Sequence, residues 1–238
     1  MEREKVRKSE LESGLLVGIK VIMIYYLVNQ GGAILGLTAL SSLVESGNIA
    51  SGYQLYLETG VKMAAMFLGA LSVFFYYKRE NEYEKIGETI PQEKKISCGM
   101  VLLLVSAGVL VSLTLNYIFL ILGIIQNSEN YQQVAEKQFA LPLWLAVLFY
   151  GVLSPWAEEI VFRGILYRNL RRNATQVMAI LGSSFVFGAF HGNVVQMIYG
   201  TIMGVIMALV YERFQDLLAP ILFHGAANVA VYAVSYFF

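Results

Sequence analysis

Apolar runs of about twenty residues follow one another along almost the whole of this 238-residue chain. A stretch of that length is what a helix needs to cross about 30 Å of hydrocarbon. In lipid the backbone N–H and C=O groups must find partners inside the protein, and an α-helix supplies them all from within itself. Seven runs are legible, at about 14–44, 57–77, 98–125, 142–172, 175–192, 195–212 and 217–237. The expected fold is therefore all-α: a polytopic membrane protein with about seven transmembrane helices. Residues 1–141 hold helices 1–3 with their connections, residues 142–238 hold helices 4–7, and the two form one integral membrane domain. The first run is too long for the apolar core of a signal peptide, so it is read as retained, with a bend near Gly31-Gly32.

Composition points the same way. Hydrophobic residues make up 57% of the chain and charged ones 14%, against about a quarter charged in soluble domains. The 4 Pro and the lack of long like-charge blocks exclude a disordered or linker-dominated chain. Seventeen Lys+Arg balance 17 Asp+Glu, so there is no basic field for a nucleic acid to follow, and none is expected as a partner. The single cysteine, Cys98, forms no intramolecular disulfide and reads as a small apolar helix residue.

Lys and Arg between the runs set an orientation. Arg3, Lys5, Arg7 and Lys8 precede the first run, and none falls in 45–56. Lys78, Arg79, Lys85, Lys94 and Lys95 follow the second, and only Lys137 the third. Arg168, Arg171 and Arg172 end the fourth, and Arg213 follows the sixth. The alternation predicts a cytoplasmic N-terminus, Phe238 on the other side, and a home in a membrane such as the bacterial cytoplasmic membrane.

Ionisable side chains inside hydrocarbon are expensive and mark function. Five lie well inside runs: Glu158, Glu159, Arg163, His191 and His224. Lys20 and Lys62 lie near run ends, where a long stem lifts the ammonium to the interface. Both histidines and a pair of glutamates thus fall within the last hundred residues, whereas the only Asp, Asp216, lies in a connection. If Arg172-Asn173-Ala174 is the turn of an antiparallel hairpin, Glu158 and His191 both rise roughly 20–25 Å above it at about 1.5 Å per residue. His224 and Asn228 are four apart and share a helix face. One carboxylate, two imidazoles and an amide can therefore converge on one pocket. Adjacent Glu158 and Glu159 diverge by about 100° on a helix, and Glu159 is spaced for an ion pair with Arg163. This assigns chemistry to Glu158 and a supporting role to Glu159 and Arg163.

Three motifs now become recognisable. Glu158-Glu159-Ile160-Val161-Phe162-Arg163 has the form EExxxR, Phe187-Gly188-Ala189-Phe190-His191 the form FxxxH, and His224-Gly225-Ala226-Ala227-Asn228 the form HxxxN. In this order they resemble the CAAX prenyl protease and bacteriocin-processing (Abi) family of intramembrane endopeptidases, over roughly residues 142–238. The resemblance implies that Glu158, assisted by His191, activates a water, and that His224 and Asn228 stabilise the oxyanion. It implies a peptide or lipidated protein as substrate, within membrane lipid, and no required cofactor. Zinc held by Glu158, His191 and His224 is the alternative, although HExxH is absent and an Asn suits an oxyanion donor better than a zinc ligand.

Two other classes compete. A small-solute transporter is expected to show inverted repeats and broken helices in both halves, yet the first 140 residues carry almost no intramembrane polar chemistry. A non-catalytic membrane scaffold or bacteriocin self-immunity protein stays open as the alternative. Gly32-xxx-Gly36 and Gly200-xxx-Gly204 have the spacing for close helix contact and are read as packing helices within the chain.

Overall fold

A computed structural model of the chain describes residues 2–47, 49, 53–87 and 96–237. Among these, helices α1 (Glu2–Glu45), α2 (Gln54–Gly87), α3 (Cys98–Ile121) and α4 (Glu129–Phe139) come first. A composite helix follows: α5 (Leu143–Ala146), a π-helical segment π1 (Val147–Leu153), α6 (Ser154–Glu159), a second π-helical segment π2 (Ile160–Tyr167) and α7 (Arg168–Asn173). It is succeeded by α8 (Gln176–Ala189), α9 (Val194–Phe214) and α10 (Leu218–Phe237). The protein is an all-α polytopic membrane protein. Lys94, Lys95 and Phe238, which the orientation reading uses, lie outside the described residues.

Among the described residues six helical stretches are long and apolar enough to cross a membrane: Leu16–Glu45, Gln54–Phe75, Cys98–Ile121, Leu143–Arg172, Val194–Phe214 and Leu218–Phe237. The seventh expected crossing, 175–192, is instead the 14-residue α8, about 21 Å long at 1.5 Å per residue and short of the hydrocarbon thickness. Its run is cut because the chain reverses at Gly192, whose φ of 77° is left-handed and is free to glycine. Asn193 then caps α9, its side chain accepting from the Gln196 N–H at 2.9 Å. The connection 126–141 is not plain loop either. Ser128 caps α4, with Glu129 in the first turn and Lys137 in the last, where each opposes the helix dipole.

Among the described residues three pairings organise the bundle: α1 with α2, α3 with α10, and α8 with α9. Small residues allow the close ones. A Cβ on Gly36 would lie 2.5 Å from Val61, and one on Gly204 would lie 3.0 Å from Ser184. Both expected glycine pairs therefore serve contacts within the chain, and α1 continues as helix through Gly31-Gly32. The main buried cluster joins Val21 and Tyr25 of α1 and Ala70 and Val73 of α2 to Phe162, Phe187, Met207 and Phe223. Large apolar side chains such as Leu35, Leu102 and Phe75 face outward, as expected where lipid replaces water.

Candidate active site

The composite helix is α-helical only briefly at the glutamates. π1 ends at Leu153, α6 carries Ser154 through Glu159, and π2 begins at Ile160. A π-turn widens the helix to i→i+5 bonding and frees local backbone groups, and such turns gather at functional sites. Here one freed group has a visible use. The Tyr150 carbonyl in π1 accepts the Asn228 amide Nδ2–H at 2.9 Å, which ties α10 to the composite helix. α10 can come this close because residue 225 is glycine: a Cβ there would overlap the Gly151 carbonyl oxygen.

All four side chains expected to converge do so. Glu158, His191, His224 and Asn228 line one cavity of about 240 Å³. Glu158 keeps 19% of its side chain exposed, into that cavity, whereas Glu159 and Arg163 are fully buried. Glu159 and Arg163 pair at 2.9 Å, and Arg163 also donates from Nη2 to the Gly204 carbonyl at 3.1 Å. Its guanidinium lies 4.6 Å from the Phe187 ring centre. Glu159 Oε2 and Arg163 Nε have no partner among the described residues.

The glutamates diverge less than helix geometry alone implies, because both reach the same imidazole. His224 Nδ1 lies 2.9 Å from Glu159 Oε1, and His224 Nε2 lies 3.8 Å from Glu158 Oε2. His191 sits just past α8, with Nδ1 3.0 Å from the Phe187 carbonyl oxygen. A carbonyl and a carboxylate can only accept, so both rings carry the Nδ1 proton.

Residues 140–230 match the type II CAAX prenyl endopeptidases described as Rce1-like. Over that segment the chain is similar to the Rce1-like family. The chain is also 26% identical, over 215 residues, to the "Putative membrane peptidase YdiL" of Bacillus subtilis, covering 88% of this chain and 86% of the relative. No solved structure matches the chain. The Rce1-like segment contains every residue of the three motifs.

Several cavity residues had no place in the motifs. Ser154 donates to Glu158 Oε1 at 2.5 Å; its signal was the spacing of one helical turn before Glu158. Behind the cavity Phe187, which opens the FxxxH motif, meets both His191 and His224 edge to face, with ring centres 5.0 and 5.8 Å apart. Asn116 of α3 and Tyr131 and Gln138 of α4 bring residues that precede the matched segment to the cavity wall. Burial holds the Tyr131 hydroxyl above its usual pKa, so that wall is uncharged. Among the described residues no group of three His, Cys, Asp or Glu side chains is arranged to hold a metal ion. The zinc set Glu158, His191 and His224 does not fit as it stands.

Proposed function

We propose that this protein is an intramembrane endopeptidase in which Glu158 is the general base. The observation that carries the reading is the convergence of Glu158, His191, His224 and Asn228 on one cavity within the membrane-crossing helices. Glu158 takes a proton from a water. His191, whose Nδ1 proton is committed to Phe187, offers Nε2 to hold that water. The resulting hydroxide attacks the scissile carbonyl, and Asn228 and His224 face the developing oxyanion. Asn228 uses one amide hydrogen on the Tyr150 carbonyl and has a second to give. Each such donor is worth about 2.7–4 kcal/mol at the transition state.

The substrate is a peptide segment of a membrane-associated or lipid-modified protein, and no nucleic acid is involved. The reaction needs no metal. The enzyme resides in a bacterial cytoplasmic membrane with its N-terminus in the cytoplasm, as the Lys and Arg distribution supports.

Purified Glu158→Gln in proteoliposomes tests the base. The amide keeps the shape and cannot take the proton, so cleavage of a lipopeptide that the wild type cuts should fall to background while the thermal midpoint is retained. Exhaustive chelation should leave the wild-type rate intact. Cleavage by the pure variant would transfer the role of base, and loss on chelation with recovery on added zinc would replace the mechanism with a metal one.

A further inference from the structure

Glu159 and Arg163, which the reaction above does not use, form a chain that ends on His224 at the cavity wall. Arg163 holds Glu159 at 2.9 Å, and Glu159 Oε1 holds His224 Nδ1 at 2.9 Å. With its proton on Nδ1, a neutral His224 turns a bare Nε2 towards Glu158 Oε2, 3.8 Å away. A bare nitrogen cannot donate a hydrogen bond to an oxyanion. It can accept a proton, and the only neighbour that acquires one during the reaction is Glu158.

We propose that His224 is the proton carrier of the reaction and general acid for the leaving amine, with Glu159 as its positioning residue. The inference rests on the peptidase reading. Glu158 takes one proton from water as the water oxygen bonds to the scissile carbon and the carbonyl electron pair moves onto oxygen. Glu158 passes that proton to His224 Nε2 across a gap that substrate binding shortens, since apo contacts of this kind tighten in the complex. The imidazolium now donates to the oxyanion, and Glu159, already bonded to the opposite nitrogen, faces its positive charge. As the oxyanion re-forms the carbonyl and the C–N bond breaks, the proton goes from Nε2 to the amine nitrogen. His224 returns to neutral, and the second water proton leaves from the new carboxylic acid. The carboxylate–imidazole logic is that of the serine-protease triad, with a glutamate-activated water in place of the serine.

The leaving group separates this role from a purely structural or oxyanion-binding one. The probes are an internally quenched lipopeptide that the wild type cleaves and the p-nitrophenyl ester of its acyl half. Nitrophenolate departs without a proton and the amine does not. His224→Gln, which retains an N–H donor, and Glu159→Gln should each lower kcat on the amide by about 10²–10⁴-fold, the usual worth of general acid–base catalysis, with little change in KM. Both should lose less than about tenfold on the ester, and the double variant should be no worse than the worse single one, as for residues acting as a unit. Equal losses on the two substrates would overturn the proposal. A second arm needs no substrate and leaves Glu159 intact. The chain has 2 His, so ¹⁵N-histidine spectra of His191→Gln protein in detergent report His224 alone. The expected result is a protonated Nδ1 and a bare Nε2, and a neutral ring protonated on Nε2 would overturn the proposal whatever the kinetics. A protein that shows the expected ring but cleaves no peptide would sink the peptidase reading and leave the Glu159–His224 pairing standing.

Discussion

Ser154 stands one helical turn before Glu158 and donates to it at 2.5 Å, which fixes Oε1 and leaves Oε2 facing His224. A hydrogen bond to a charged group is worth about 1.5–3 kcal/mol. Ser154→Ala should therefore lower the thermal midpoint and, by releasing Oε1, lower kcat as well, by at most roughly ten- to a hundredfold at 1.36 kcal/mol per tenfold. A wild-type kcat would show that the base needs no such anchor. At this scale the sequence was informative where chemistry clashed with lipid. Glu158, His191 and His224 stood out because ionisable groups are rare in apolar helices, and Asn228 because it shares a face with His224. The clash cannot show which atom meets which. Helix geometry set Glu158 and Glu159 on different faces, but a glutamate side chain is long enough for both to reach one imidazole. Ser154 is unremarkable in composition, and its role comes from packing.

The elements carry the larger surprises. Two π-helical segments bracket α6, and nothing in the apolar sequence of 147–167 marks them. A count of 1.5 Å per residue from the Arg172 turn therefore overstates the height of Glu158, since π-turns hold more residues per turn. α4 was more legible, because Ser128, Glu129 and Lys137 are ordinary helix-end residues. The break after α8 also had its signals, Gly192 and Asn193, inside an otherwise apolar run. The seam between π1 and α10 yields a test at this scale. A methyl on residue 225 would overlap the Gly151 carbonyl oxygen, a backbone atom that cannot rotate away. Gly225→Ala should push α10 off π1, displacing His224 and Asn228 together and breaking the Asn228–Tyr150 bond. Overpacking of this kind costs about 1–3 kcal/mol, so the thermal midpoint should fall and cleavage should fall with it. A variant with wild-type stability would mean that the two helices have slack at this crossing.

At the scale of the whole molecule, what the sequence stated most plainly was that the chain is a helical membrane protein, because the length of a span is set by the bilayer and not by packing. The arrangement of those helices was beyond it, since lipid-facing and protein-facing surfaces are both apolar and no amphipathic stripe distinguishes them. Thus α3 reads as a uniform apolar span, yet it lies along α10 so closely that a Cβ on Gly108 would overlap the Phe223 carbonyl oxygen, and it lends Asn116 to the cavity. Orientation rests on Lys and Arg alone, and the chain carries its own probe for it. Cys98, the single cysteine, is exposed at the start of α3, directly after a connection carrying Lys78, Arg79 and Lys85. Those charges resist translocation, so a cytoplasmic N-terminus and two crossings put Cys98 at the cytoplasmic face. A membrane-impermeant maleimide should leave it unlabelled in intact cells and label it after permeabilisation, while Tyr53→Cys in a Cys98→Ser background, beyond the first crossing, should label from outside. The reverse pattern would invert the whole assembly. The cavity walls from α4 and from the start of α9 would then lie on the cytoplasmic side, and the search for substrates would move to cytoplasmic segments of membrane-bound proteins.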